Sequence, residues 1–166
     1  PYTIGVANVI RYRESAVHFN EAYEICEGTG YSNECEDICI ITVGRTVAEA
    51  MRAAVILKEA HNIEARIVVP HTLQPIDDRT ILNGACETRA TLIVDGQGGY
   101  RIGEIVSSII MRGRRDEGAV TTLRIELIDE VSGKSNLTAE IIAAHAYKLQ
   151  VYPNKGWQSA CIARCG

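Results

Sequence analysis

The chain has 166 residues, 46% of them apolar and 23% charged, with a formal net charge of −4. That length suits one ordinary α/β domain rather than two, and the composition is that of a globular protein, not of a disordered one. The acidic balance gives no reason to expect nucleic acid. The longest apolar runs, Ile38–Val43 and the segment 102–111, fall far short of the ~20 residues that cross a bilayer. With no charged-then-apolar leader, the reading is a soluble, cytoplasmic protein without a membrane partner.

The chain opens PYTIGVANVIRYR, without Met and already in strand-like alternation, as a piece of a longer polypeptide would. A strand is expected over Tyr2–Arg13, ending in a basic tip. Residues 14–37 gather Glu14, Glu21, Glu24, Glu27, Glu34, Glu36 and Asp37 around Gly28 and Gly30, and read as a solvated acidic connector. The β-branched run Ile38–Val43, with no polar alternation, predicts a buried strand.

Thr46-x-x-Glu49 has the form of a capping box, in which a hydroxyl and a carboxylate satisfy the open N–H groups of a first helical turn. A helix is therefore predicted from Thr46, with Val47, Ala50, Met51, Ala54 and Leu57 on one face and Asn62 ending it near residue 61. Ala65–Val69 is the next strand. Asp77 then caps a helix over 78–87, with Ile76 and Ile81 placed as a hydrophobic staple.

Thr91–Asp95 predicts another strand, followed by a glycine turn and a helix carrying Ile102, Ile105, Val106, Ile109 and Ile110 that stops near Gly113. Arg112, Arg114, Arg115, Asp116 and Glu117 read as a mixed-charge loop. A strand is expected over Thr122–Leu127, and a last helix capped by Thr138 runs to about Leu149. Residues 151–166, with Pro153 and Trp157, show no periodicity and read as an irregular Cys-containing tail. Alternating strands and helices imply a parallel sheet with helices on both faces.

Six cysteines are present: Cys26, Cys35, Cys39, Cys86, Cys161 and Cys165. The C-x3-C spacing at Cys35/Cys39 and Cys161/Cys165 is not the C-x2-C knuckle of structural zinc, and a domain of this size needs no staples. Free thiols are the expectation, with a metal or disulfide site as the alternative.

From Cys39 to about Leu149 the chain resembles the C-terminal domain shared by transketolase, 1-deoxyxylulose-5-phosphate synthase and the β subunit of 2-oxoacid dehydrogenases. The resemblance is carried by IITVGRTVAEAMRAA, HTLQPID, TRATLIVD, a Gly-Gly turn into an apolar helix, and SGKSNLTAEIIAAHAYKL. The last run is most similar to the transketolases, including those made as two chains. The resemblance implies a three-layer α/β/α domain whose mostly parallel five-stranded sheet has one antiparallel strand, and which contributes to dimer contacts. It divides the chain into residues 1–37, the end of a preceding pyrimidine-binding domain with its linker, residues 38–150, the α/β domain, and the tail.

It also implies thiamine diphosphate and Mg in the full enzyme, held between the preceding domains and not by this chain. Two-carbon ketol transfer between sugar phosphates would then be carried out mostly by other polypeptide, in a homo-oligomer or with a cofactor-binding subunit. VIRYRES resembles the stretch that supplies an arginine to the substrate phosphate, which makes Arg11 and Arg13 candidates. A guanidinium suits that work because it offers paired, permanently charged donors to phosphate oxygens. The proline that relatives place before the second arginine is missing here, so either residue could carry the role, and a surface strand tip is the plain alternative. Asp95-Gly96-Gln97 also stands where many transketolases have Glu-Glu-His.

On the residues alone, His18, His61, His71 and His145 are the titratable candidates near neutral pH. His71 follows a strand end, where α/β sheets bind ligands. Gly96-Gln97-Gly98-Gly99 lies at a strand-to-helix turn but lacks the spacing of a nucleotide motif. A Gly-Asp-Gly with a following Asn pair, the thiamine diphosphate signature, is absent from the sequence. Two readings stand beside the transketolase-like one: a flavodoxin-like module binding small anions at the Val69/His71 and Asp95/Gly99 strand ends, and a thiol redox role for Cys161/Cys165.

Overall fold

A computed structural model of the chain describes residues 3–12, 23–27, 36–96, 102–116, 124–129 and 136–151. The elements in order are β1 (Asn8–Tyr12), β2 (Tyr23–Glu27), β3 (Ile38–Thr42), α1 (Thr46–His61), β4 (Ala65–Val69), α2 (Asp78–Glu87), β5 (Ala90–Asp95), α3 (Ile102–Asp116), β6 (Arg124–Asp129) and α4 (Ala139–Val151). The strands form one sheet in the order β2-β1-β4-β3-β5-β6.

The expected five-stranded, mostly parallel sheet with one antiparallel strand is present as β1-β4-β3-β5-β6. Strands β3 to β6 are mutually parallel, and β1 runs against β4. β2 pairs with the outer edge of β1 and so runs in the same direction as β3 to β6. The acidic connector expected over 14–37 is therefore interrupted by a strand at Tyr23–Glu27, and its last two residues are structural anchors rather than solvated ones. β1 shares its ladder with β4, so residues 8–12 lie in the same sheet as the parallel strands.

β3, β4 and β5 are buried along their whole length, which is why they read as continuous apolar runs instead of alternating ones. On one face Ile38, Ile40, Ile67, Leu92 and Val94 pack against α1 and α4. On the other, Val9, Ile41, Val68 and Ile93 pack against Ile81, Ile102, Val106 and Ile110 of α2 and α3. Each such side chain stabilises the fold by roughly 1.5–3 kcal/mol relative to leaving it in water. Ala50, Ala53 and Ala54 of α1 share a cluster with Ala139, Ala143 and Ala146 of α4, so small side chains make up much of this layer.

Helix caps depart from expectation at one point. Thr46 begins α1, but the helix has no side-chain cap. The Thr46 hydroxyl instead donates to the Val43 carbonyl and lies 2.6 Å from Thr42 Oγ1, while the Glu49 carboxylate accepts the Ala139 N–H that opens α4. The capping box is thus replaced by a cap between helices. Asn62 ends α1 in the left-handed region as expected, and Asp77 caps α2 by accepting the Thr80 N–H at 3.0 Å. Residues 112–116, expected as a loop, are the last turn of α3, and β6 begins at Arg124.

Candidate functional site

The sheet has two poles, and the sequence candidates fall at opposite ones. Because β1 is antiparallel, its carboxyl end lies beside the amino ends of the parallel strands, where Arg11 is in register with Arg66 of β4. Cys39 of β3 is in turn level with Arg66 and with Thr91 of β5. At the other pole, beyond the carboxyl ends, lie His71 and the turn after Asp95.

The first pole holds a buried charge cluster. Arg11 Nε is 2.7 Å from Glu36 Oε1, with the two side chains 3% and 7% exposed. Glu36 Oε2 accepts from Arg66 Nε at 2.9 Å and also from its Nη2. Arg66, itself 1% exposed, completes the cluster through Nη1 to Glu87 Oε2 at 2.5 Å. One carboxylate thus bridges arginines from adjacent strands. Burial alone would lower the Arg66 pKa, but the hydrogen bond to Glu87 and the charge of Glu36 outweigh it and hold it above its ordinary value.

Next to this cluster, complete burial pushes the Cys39 thiol up to about 12 despite the nearby Arg66. It is protonated at neutral pH and is no nucleophile. Arg11, one of the two candidates for a substrate phosphate, is held by Glu36 rather than projecting into solvent. Arg13, the other, lies outside the described residues, as do His18, Cys35, Cys161 and Cys165. The four-charge cluster was not foreseen from the sequence, although one arginine in each of two otherwise apolar strands, VIRY and ARIVV, signals a buried counter-charge.

At the second pole the connections diverge: β3 leads through α1 to β4 on one side, and β5 leads through α3 to β6 on the other. Such a switch point is where open α/β sheets bind ligands. Beside the described part of that crevice, Thr46 and Arg45 pack closely on Gly96. A Cβ on Gly96 would run into Thr46 Cγ2, and Arg45 donates to the Gly96 carbonyl through Nε at 3.2 Å and Nη2 at 3.0 Å. Gln97, Gly98 and Gly99 lie outside the described residues.

The HTLQPID run borders this pole and seats the incoming chain. Thr72 Oγ1 accepts the Gly5 N–H at 2.9 Å, and Asp77 Oδ2 accepts the Ala7 N–H at 2.9 Å. His71 is half-buried, and desolvation lowers its pKa, which keeps the imidazole neutral at pH 7. The other two described histidines, His61 and His145, do structural work. His61 stacks on Tyr147 with ring centroids 4.1 Å apart, and His145 pairs with Glu126 of β6.

Among the described residues no three His, Cys, Asp or Glu side chains converge on a point that could hold a metal ion. No chemical step through a magnesium–diphosphate pair follows from the described residues. Likewise, no described helix is long and apolar enough to cross a membrane.

A sheet of parallel strands with one strand, β1, running against them and helices on both faces defines a doubly wound α/β domain. Residues 30–147 match the family described as "Transketolase, C-terminal domain", and the chain belongs to that family. Transketolase from Homo sapiens is 29% identical over 103 residues, which cover 59% of this chain and 16% of that protein. Transketolase from Pongo abelii matches to the same extent. The chain therefore spans about a sixth of the curated relatives it matches. A solved structure, "Split gene transketolase, inactive beta4 tetramer", aligns with a TM-score of 0.53 and 28% identity, over 70% of this chain and 39% of that one.

Proposed function

We propose that this chain is the C-terminal part of a thiamine-diphosphate-dependent transketolase-like enzyme. Its work is assembly with the cofactor-bearing domains or subunit, and the two-carbon ketol transfer between sugar phosphates takes place largely on that other polypeptide. The observation that carries this reading is the family match over residues 30–147 of a doubly wound α/β sheet. Thiamine diphosphate and Mg would be held by the partner portions, and the enzyme would act in the cytoplasm.

The N-terminal residues then derive from the end of the pyrimidine-binding portion, which crosses onto this sheet as β1, and residues 151–166 form an appended tail. Of the two candidate arginines, Arg13 is assigned the substrate-phosphate contact, because Arg11 is already paired with Glu36. Assembly as a homo-oligomer accords with the β4 tetramer of the solved split-gene relative. The family match and the transketolase relatives favour this reading over a free-standing small-anion module and over a 2-oxoacid dehydrogenase β subunit.

The test is reconstitution. The chain is mixed with a polypeptide carrying the two thiamine-binding portions, and complex formation is followed by sedimentation while ketol transfer is followed by a coupled assay. A stable complex with transfer activity is expected, and Arg13→Ala should raise KM for a phosphorylated ketose more than it lowers kcat. Neither complex nor transfer would refute the reading.

A further inference from the structure

The chain enters β1 through a tight turn. The Val6 N–H donates to the Thr3 carbonyl at 3.1 Å, and Gly5 takes φ +76°, the left-handed value that suits glycine at the third position of a type II turn. Turns are dominated by Gly, Pro, Asn, Asp and Ser, so the turn itself does not explain an isoleucine at its corner. Yet Ile4 stands there, and at 76% it is the most exposed large apolar side chain among the described residues.

The corner is held firmly. The Gly5 N–H donates to Thr72 Oγ1 and the Ala7 N–H to Asp77 Oδ2, both at 2.9 Å, and the Thr72 hydroxyl passes on to the Pro75 carbonyl at 2.6 Å. Gly5 lies against Pro75 so closely that a Cβ would stand 3.0 Å from the proline Cγ. Ile4 therefore borders exposed Pro75 and half-buried Val6, Leu73 and Ile76, and the last two root this surface in the core beneath α2 and α3. A lone apolar residue on a surface needs no explanation. One fixed on a rigid corner beside other apolar side chains has the form of an anchor, because its backbone freedom is lost before any partner arrives.

The position of the turn points to what it meets. Asn8 at the start of β1 is in register with Val69, which puts the turn at the carboxyl pole of the parallel strands. In the transketolases that match, the matched stretch is 16% of the chain and belongs to a C-terminal domain, so the bulk of those proteins precedes it. A portion that precedes this domain arrives through the residues ahead of β1, beside Ile4.

We propose, on the assembly reading given above, that the turn at residues 3–6 is a docking peg: Ile4, flanked by Pro75 and Leu73, inserts into an apolar recess on the cofactor-bearing portion of the enzyme. The peg contributes affinity and fixes how the two portions sit on each other.

The experiment uses the full chain and a polypeptide carrying the two thiamine-binding portions, with dissociation constants from sedimentation equilibrium. Ile4→Ala is expected to weaken the complex about tenfold or more and Ile4→Asp about a hundredfold or more, as removing buried aliphatic carbon and burying an unpaired carboxylate should do. Ile4→Asp by itself should unfold within a few degrees of the parent, since so exposed a side chain makes few contacts in its own chain. Leu127→Ala, 46% exposed on β6 at the opposite side of the sheet, should leave the dissociation constant within about twofold. If the parent binds and Ile4→Asp binds equally well, the peg is overturned while the assembly reading stands; a parent that does not bind overturns both. Equal weakening by Leu127→Ala, or a loss of stability in Ile4→Asp alone that accounts for its loss of binding, would also overturn the peg. So would Ile4→Asp abolishing self-association with binding to the other portion intact, which would make a second copy the occupant.

Discussion

Arg11 and Arg66 stand side by side in register on neighbouring strands, and the carboxylate of Glu36 touches both. The three side chains are not equivalent. Removing Arg66 leaves Glu36 still paired with Arg11, whereas removing Glu36 takes from two buried arginines the carboxylate they share. Glu36→Ala should therefore cost about 3–5 kcal/mol and Arg66→Met clearly less, because a buried pair is most damaged when a charge is stranded. Glu87→Ala, at the half-exposed rim, should cost no more than ~1 kcal/mol. Urea unfolding midpoints at constant m decide the order.

Gly84 of α2 lies over Cys39. A methyl group there would come within 2.9 Å of the Cys39 sulfur and 3.2 Å of Val68 Cγ2. Alone, Gly84→Ala should be destabilising by about 1 kcal/mol, overpacking outweighing the helix-propensity gain of similar size. In a Cys39→Ala background the sulfur is gone and the sign should reverse. A thermal double-mutant cycle should show coupling of roughly 1 kcal/mol or more.

The same thiol predicts an alkaline weakness. Its folded pKa is raised from the ordinary 9.0 to about 12, and the thiol is the uncharged form. Its contribution is thus complete below pH 9 and is lost as pH rises through 12, the native state binding the proton that the unfolded chain gives up. The slope attributable to it between those values is about 1.4 kcal/mol per pH unit. Cys39→Ala should flatten the loss of stability above pH 9 relative to the parent, and parallel curves for the two proteins would contradict the burial of this sulfur.

Glu49 of α1 caps α4 by accepting the Ala139 N–H at 3.0 Å. Glu49→Ala should cost about 1 kcal/mol, the usual value of a lost cap. The effect should appear as faster exchange in the first turn of α4, with the first turn of α1 little changed, because Glu49 does not cap its own helix. Loss confined to α1 would restore the local capping box that the sequence suggests.

Much of the fold was legible for simple reasons. ICIIT and ARIVV are continuous β-branched runs because both faces of those strands are covered, and Asp77 marks the start of α2 because its partner, Thr80, is three residues away. What escaped depends on distant groups. Glu49 looks like half of a capping box until α4 arrives to claim it. Glu36 looks like one more surface acid among its neighbours, since its arginines lie 25 and 30 positions away, and YEICE is hidden as a strand within the same acidic stretch. The site was legible only as two arginines. That Arg11 is paired follows from register, which local pattern does not encode.

The direction of β1 has a mechanical consequence. Thr3 lies at the carboxyl pole of the parallel strands, whereas Val151 ends α4 at the amino pole, next to Gln150 and its bond to the Asp37 carbonyl. A force stretching the molecule between those points pulls β1 along its own axis against β4. The ladder is then loaded in shear, with all its backbone bonds strained at once instead of unzipped singly, and the rupture force should be high for so short a strand.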